Sequence, residues 1–262
     1  MASCEWPIGR GALAAMQLFR IKICGITRAE DARAAAEMGA DAIGLNFVTG
    51  SPRCLGVEEA RRLVSAMPES LVRVGVFAGA SVEAMHKLAE AAGLDAIQLH
   101  GELWPAAEDC GQAAVPVDPP QRCAELRPLP VIRAVHLGAA EGPEPNRLAD
   151  ANRWAEEARK AGAAPAMLLV DASVARETAA AARGGTGRTV DWAGVASAQA
   201  DLPVAVAGGL KPENVAEAIA VSSAVAVDVA SGVESAPGLK DLEKLRLFIS
   251  QAAGVLPPLV SG

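Results

Sequence analysis

The chain has 262 residues, enough for one α/β barrel or for two small domains. Hydrophobic residues make up 51% of it and aromatics only 3%, with no tyrosine, so the core must be built from Ala, Val, Leu and Ile, which suits helices packed on a parallel sheet. A formal charge of −7 argues against a nucleic-acid partner, which needs a basic face, but leaves room for an anionic ligand in a locally positive pocket.

Residues 1–17 lack the apolar block of a signal peptide and are read as an N-terminal extension, either a loose tail or a stretch upstream of a start at Met16. Residues 18–262 are read as one catalytic domain. From there, short apolar runs alternate with amphipathic stretches. The predicted strands are Phe19–Cys24, Ala42–Phe47, Val72–Phe77, Ala96–Leu99, Val131–Val135, Met167–Val170, Val204–Ala207 and Ala224–Val229. Their near-continuous apolar character is that of strands buried on both faces. Eight of them with helices between predict a single (β/α)8 barrel, although an open doubly wound sheet has a similar local pattern.

Helix signals fall between these runs. Thr27 with Glu30 reads as a capping box opening a helix to about Met38, which Gly39 stops. Ser81 caps a second helix that runs to Ala92 and ends at Gly93. GADAIGLNF (39–47) and GLDAIQLH (93–100) echo one another as a helix-to-strand unit. The Pro-rich stretch 115–130 reads as a surface connection, and 136–166 as a loop followed by an exterior helix over Leu148–Ala161. No run reaches the ~18 apolar residues of a membrane helix. Five cysteines, Cys4, Cys24, Cys54, Cys110 and Cys123, with no CxxC pair, indicate neither a disulfide framework nor zinc, and fit a cytoplasmic setting.

A barrel of this kind carries its active site at the C-terminal ends of its strands. Following the strands in order, those ends hold Cys24-Gly25, then Arg53 across a short loop, His100-Gly101, Asp171, Gly208-Gly209 and Ser231-Gly232. The last two pairs stand where barrels often bind phosphate through backbone N–H groups, or else form tight turns. Gly184-Gly185-Thr186-Gly187 either wraps a ligand or simply connects two elements. Cys24 is a small hydrophobe or a base, the latter favoured by Lys22, which points the same way along the strand. Asp171 is a structural acceptor or a general acid. Arg53 is a solvated loop residue or a fork for a carboxylate. His100 lines the pocket or is structural, while His86 and His136 carry no signal. Cys24, His100 and Asp171 lack the local spacing of a metal site, so no metal is expected.

Taken in order, KICGIT (22–27), GADAIGLNF (39–47), SPR (51–53), VGVF (74–77), IQLHG (97–101), LLVD (168–171), GGTG (184–187) followed by Asp191-Trp192, AGGLKPENV (207–215), VDVASGVE (227–234) and PGLKD (237–241) resemble the phosphoribosylanthranilate isomerases of tryptophan biosynthesis. The resemblance implies a (β/α)8 barrel that performs an Amadori rearrangement of a sugar phosphate with no cofactor. It implies Cys24 as general base and Asp171 as general acid. It assigns Arg53 to the anthranilate carboxylate, and Gly208, Gly209, Ser231 and Gly232 to the phosphate. The expected partner is this small molecule alone, in a monomer or homodimer. Three other readings stand beside it: a silent phosphate-binding barrel, a redox sensor acting through Cys24, and the related histidine-pathway isomerase, which has a carboxylate in place of Cys24.

Overall fold

Eight parallel strands close into one barrel: β1 (Ile21–Cys24), β2 (Ala42–Asn46), β3 (Val72–Phe77), β4 (Ala96–Leu99), β5 (Val131–His136), β6 (Met167–Asp171), β7 (Val204–Ala207) and β8 (Ala226–Val229). This computed structural model describes residues 17–101, 117–136, 147–171, 192–197 and 202–259. The extension before Gln17, the loop after His136 and the GGTG segment lie outside the described residues, as do Cys4 and Cys110. Helices α1 (Ala29–Glu37), α2 (Val57–Ser65), α3 (Val82–Ala92), α4 (Arg122–Glu125), α5 (Arg147–Lys160), α6 (Trp192–Ser197), α7 (Val215–Ser222) and α8 (Leu242–Ala253) alternate with the strands.

Side chains alternate across each strand, and this parity builds two cores. Ala42, Val74, Ala96, Ile132, Ala134, Met167, Leu169, Ala205 and Ala226 fill the barrel interior. Residues of the opposite parity, such as Ile21, Ile23, Ile43, Ile97, Leu168 and Val227, meet the helices. The interior is rich in alanine, so much of the barrel is filled by small side chains. Continuing the inward parity toward the C-terminal ends leads from this apolar floor to Lys22, Cys24, Gln98, His100, His136, Asp171 and Asp228. The fold thus sets a polar layer on top of an apolar one.

The caps agree with the sequence in one helix and differ in another. Ser81 accepts from the Ala84 N–H at 3.2 Å, and Gly93 ends α3 in the left-handed region. At α1 the expected capping box does not form: Arg28 occupies the cap, and the Thr27 hydroxyl instead donates to the Gly238 carbonyl at 2.6 Å. That contact ties the first βα loop to a short antiparallel hairpin absent from the sequence reading, β9 (Glu234–Ala236) with β10 (Leu239–Lys240).

The Pro-rich connection is not a surface strap where it is described. Asp118 and Leu126 are fully buried, and Asp118 accepts from the Gly101 N–H at 2.8 Å. Its backbone carbonyl accepts from the indole N–H of Trp154 in α5 at 2.9 Å. Trp154 is fully enclosed, with the Arg133 guanidinium 5.1 Å from its ring centre. Burial of so large a ring stabilises the α5 docking by about 3–5 kcal/mol.

Candidate active site

The Cys24 side of the mouth is built from β1, β2, β8 and the β9–β10 hairpin. Cys24 lies opposite Gly44 in the β1–β2 register, and a Cβ on Gly44 would stand 2.6 Å from the thiol sulfur. Glycine in the second strand therefore makes room for the thiol. Gly25, next along, has φ +72°, and a Cβ there would collide with the Arg53 side chain. The KICGIT glycine thus serves both a left-handed turn and the passage of Arg53 over the end of β1.

Lys22 is completely buried, and its ammonium donates to Asp228 Oδ1 at 2.7 Å. Burial opposes the charge, yet Asp228 and Cys24 outweigh it and hold the Lys22 pKa above its usual value. Cys24 shows the reverse balance. Burial pushes its thiol above the ordinary range, while Lys22 and Lys240 pull it back and Asp228 adds to the rise. The expectation that a nearby cation favours the thiolate is correct in sign, but burial outweighs it. Asp228 was not singled out from the sequence; an aspartate of inward parity inside the apolar run 224–229 was the signal.

Arg53 does not present an empty fork. Its Nε and Nη2 donate to the two carboxylate oxygens of Glu234 at 2.8 and 2.6 Å. Lys240, with its ammonium buried, donates to the same carboxylate at 2.9 Å and to the Cys24 and Ala230 carbonyls at 2.7 and 3.1 Å. Burial works against the Glu234 charge, but these two cations hold its carboxyl below the usual range. Neither Glu234 nor Lys240 was picked out from the sequence, because only the hairpin folds them back to β1.

The opposite side comes from three adjacent strands. His100 follows β4, His136 ends β5 and Asp171 ends β6, with His136 and Asp171 paired in register. Asp171 Oδ2 lies 4.0 Å from His100 Nε2 and 3.8 Å from His136 Nδ1. The two imidazoles are tilted at 54° with centres 4.5 Å apart. Burial, and then the neighbouring His136, lower the His100 pKa to about 4, against a raising effect of Asp171. His100 is therefore neutral at pH 7. His136, given no signal above, is a full member of this cluster. The parity Ile132, Ala134, His136 was the available clue.

The glycine pairs stand as expected after β7 and β8. Gly208 and Gly209 have φ +83° and +63°, and a Cβ on Gly209 would meet nothing within 4 Å, so open space lies before that loop. Gly232 follows Ser231 in a single 3-10 turn (Ser231–Val233), where a Cβ would collide with the Leu210 carbonyl. The two loops are thus packed backbone to backbone at one edge of the mouth.

A closed parallel barrel whose C-terminal mouth carries a thiol, a carboxyl group and two glycine loops defines a (β/α)8 enzyme of the sugar-phosphate-isomerase kind. The sequence profile of the N-(5'-phosphoribosyl)anthranilate (PRA) isomerases matches residues 21–127 and 144–251, and the chain belongs to that family. The N-(5'-phosphoribosyl)anthranilate isomerase of Myxococcus xanthus is 40% identical over 237 residues, covering 90% of this chain and 97% of the relative. The crystal structure of phosphoribosyl anthranilate isomerase from Thermotoga maritima superposes with a TM-score of 0.72 at 34% identity, covering 90% of this chain and 99% of that one. A phosphoribosyl anthranilate isomerase solved in complex with reduced 1-(o-carboxyphenylamino)-1-deoxyribulose 5-phosphate gives 0.69 at 32% identity, with the same coverage of each chain. Among the described residues no helix is long and apolar enough to cross a membrane.

Proposed function

We propose that the chain converts N-(5'-phosphoribosyl)anthranilate into 1-(2-carboxyphenylamino)-1-deoxyribulose 5-phosphate, in tryptophan biosynthesis, through Cys24 as base and Asp171 as acid. The observation that carries this reading is shared parity: Cys24 and Asp171 both take the inward position at the C-terminal end of one barrel, on β1 and β6. Asp228 on β8 stands between them, within electrostatic reach of Lys22, Cys24 and Asp171.

The protons balance as follows. Asp171 protonates the ribose ring oxygen, the C1′–O bond breaks, and the nitrogen lone pair forms an iminium. Cys24 as thiolate removes the C2′ proton, and the electron pair neutralises the iminium to give an enolamine. The thiol proton then returns to C1′ while the 2′-hydroxyl proton passes to Asp171. Both groups end in their starting states, so no external reagent is consumed. Burial raises the thiol pKa, so forming the thiolate, whose proton leaves to solvent, is an uphill step. The substrate's own iminium is the extra positive charge that lowers this barrier, in addition to Lys22 and Lys240.

Arg53 takes the anthranilate carboxylate through Nη1, since its Nε–Nη2 edge is closed on Glu234. The glycine loops at Gly208-Gly209 and Ser231-Gly232 hold the phosphate by backbone N–H groups. His100 lines the pocket beside Asp171. The thiol at position 24 also weighs against the histidine-pathway substrate. Purified protein mixed with freshly made phosphoribosylanthranilate should extinguish its fluorescence catalytically without added metal. No turnover would favour a silent phosphate-binding barrel instead.

A further inference from the structure

His100, His136 and Asp171 meet at the mouth with an arrangement that proton transfer at Asp171 does not itself require. Each offers one ligand atom, and the three atoms lie within 4.8 Å of one another. His136 and Asp171 end adjacent strands and are paired in register, and His100 stands one residue past β4 with its N–H bonded to the Phe77 carbonyl, so the barrel sets their backbone spacing. Two imidazoles and one carboxylate form a donor set suited to first-row transition metals, in contrast to the all-oxygen sets that magnesium and calcium prefer. A tetrahedral ion with bonds near 2.0–2.1 Å needs ligand atoms roughly 3.3–3.4 Å apart. Asp171 Oδ2 stands 3.8 Å from His136 Nδ1 and 4.0 Å from His100 Nε2, with all three atoms within 4.8 Å, so side-chain adjustment on binding must draw them together.

A second observation points the same way. The buried Gln98 amide nitrogen lies 3.3 Å from His100 Nδ1, while its Oε1 is buried without a hydrogen-bond partner. Turning that amide presents Oε1 to an Nδ1–H. This is the kind of outer support that fixes a metal-binding histidine in the tautomer leaving its other nitrogen as the ligand.

We propose that His100, His136 and Asp171 form a site for a zinc-class divalent ion, and that filling it blocks the isomerase. The block follows from chemistry: a carboxylate bound to the ion through its lone pairs can no longer carry the proton for the ring oxygen. Metal and acid catalysis therefore compete for one side chain. The block, though not the binding, rests on the role given to Asp171 above.

The test uses the purified full chain stripped with a chelator, titrated with Co2+ and Zn2+ as chlorides. Co2+ should bind one to one, with the intense visible absorption of a low-coordinate site, and Zn2+ should displace it. His136→Gln and Asp171→Asn should each weaken Co2+ binding by more than the about 10–100-fold lost when only an outer partner of a ligand is removed. Zn2+ should inhibit turnover competitively with substrate and be reversed by chelator, whereas Mg2+ at the same concentration should do nothing. A Co2+ spectrum unchanged in both variants would place the ion on other groups and overturn the site. Bound Co2+ with undiminished turnover would overturn the block. If the protein shows no turnover with phosphoribosylanthranilate, the reading of the reaction fails, while the Co2+ titration still decides the site.

Discussion

The two sides of the mouth differ in how tightly their polar groups are closed. Around Cys24, the Lys22–Asp228, Arg53–Glu234 and Lys240–Glu234 contacts span 2.6–2.9 Å. Around Asp171, the two histidine nitrogens stand 3.8 and 4.0 Å away. Closed ion pairs at low exposure fix side-chain positions before any ligand arrives, which is what a base must have to meet a weakly acidic carbon. On this more open side the two imidazoles stand beyond hydrogen-bond distance of Asp171, a spacing within which the carboxyl group can turn toward a ring oxygen. Two imidazoles and one carboxylate at this spacing make the acid side the one that a foreign ion can occupy.

Substitutions test this contrast most sharply at the two proton carriers. Cys24→Ala and Asp171→Asn should each lower kcat by at least ~10²-fold, the usual scale of general acid–base catalysis. A near-normal rate in either would remove that residue from the chemistry. On the closed side, Lys22→Met leaves the Asp228 carboxylate buried without its cation and should cost about 3–5 kcal/mol in urea unfolding. A loss below 1 kcal/mol, on the scale of an exposed pair, would show that water reaches Asp228 and that this side is not sealed.

Arg53 and Glu234 separate substrate holding from chemistry. Arg53→Ala should chiefly raise KM, by about tenfold or more if a charge-assisted hydrogen bond of roughly 1.5–3 kcal/mol is lost. Glu234→Gln should raise KM in the same direction but less, because the guanidinium remains and only its orientation is loosened. Equal and exclusive losses of kcat in both would instead place Arg53 at the reacting carbon.

The smallest effect belongs to the open side. The folded-state His100 pKa, at about 4, lies below the usual 6.5. The unfolded chain therefore binds more protons between these values, and stability falls as pH drops through that window. Wild-type protein should lose stability between pH 7 and pH 4.5, and His100→Gln should lose less over the same interval. Identical slopes would mean that His100 charges freely in the folded state and that the open side is wetter than its geometry implies.

The sequence alone determined the eight alternating β/α units, while the pairing of β1 with β8 decided that they close into a barrel rather than an open sheet. Strands β3, β4 and β7 carry the bounds read from their apolar runs, and the others differ by one or two residues at an end. Buried parallel strands and glycine-stopped helices are local patterns, so a linear reading captures them. Cys24 and Asp171 were legible for the same reason, each standing where an apolar run stops. His136 and Asp228 were legible in principle through strand parity, yet each looks ordinary until its neighbours around the barrel are known. Glu234 and Lys240 were decided only by tertiary structure. Their hairpin is short and irregular, and its value lies in a fold-back that brings the Lys240 ammonium to Cys24, 216 positions away along the chain. Charge balance at the thiol was decided there too. A cation two residues away can be read from the sequence, but the desolvation that outweighs it exists only once the barrel has closed around both groups.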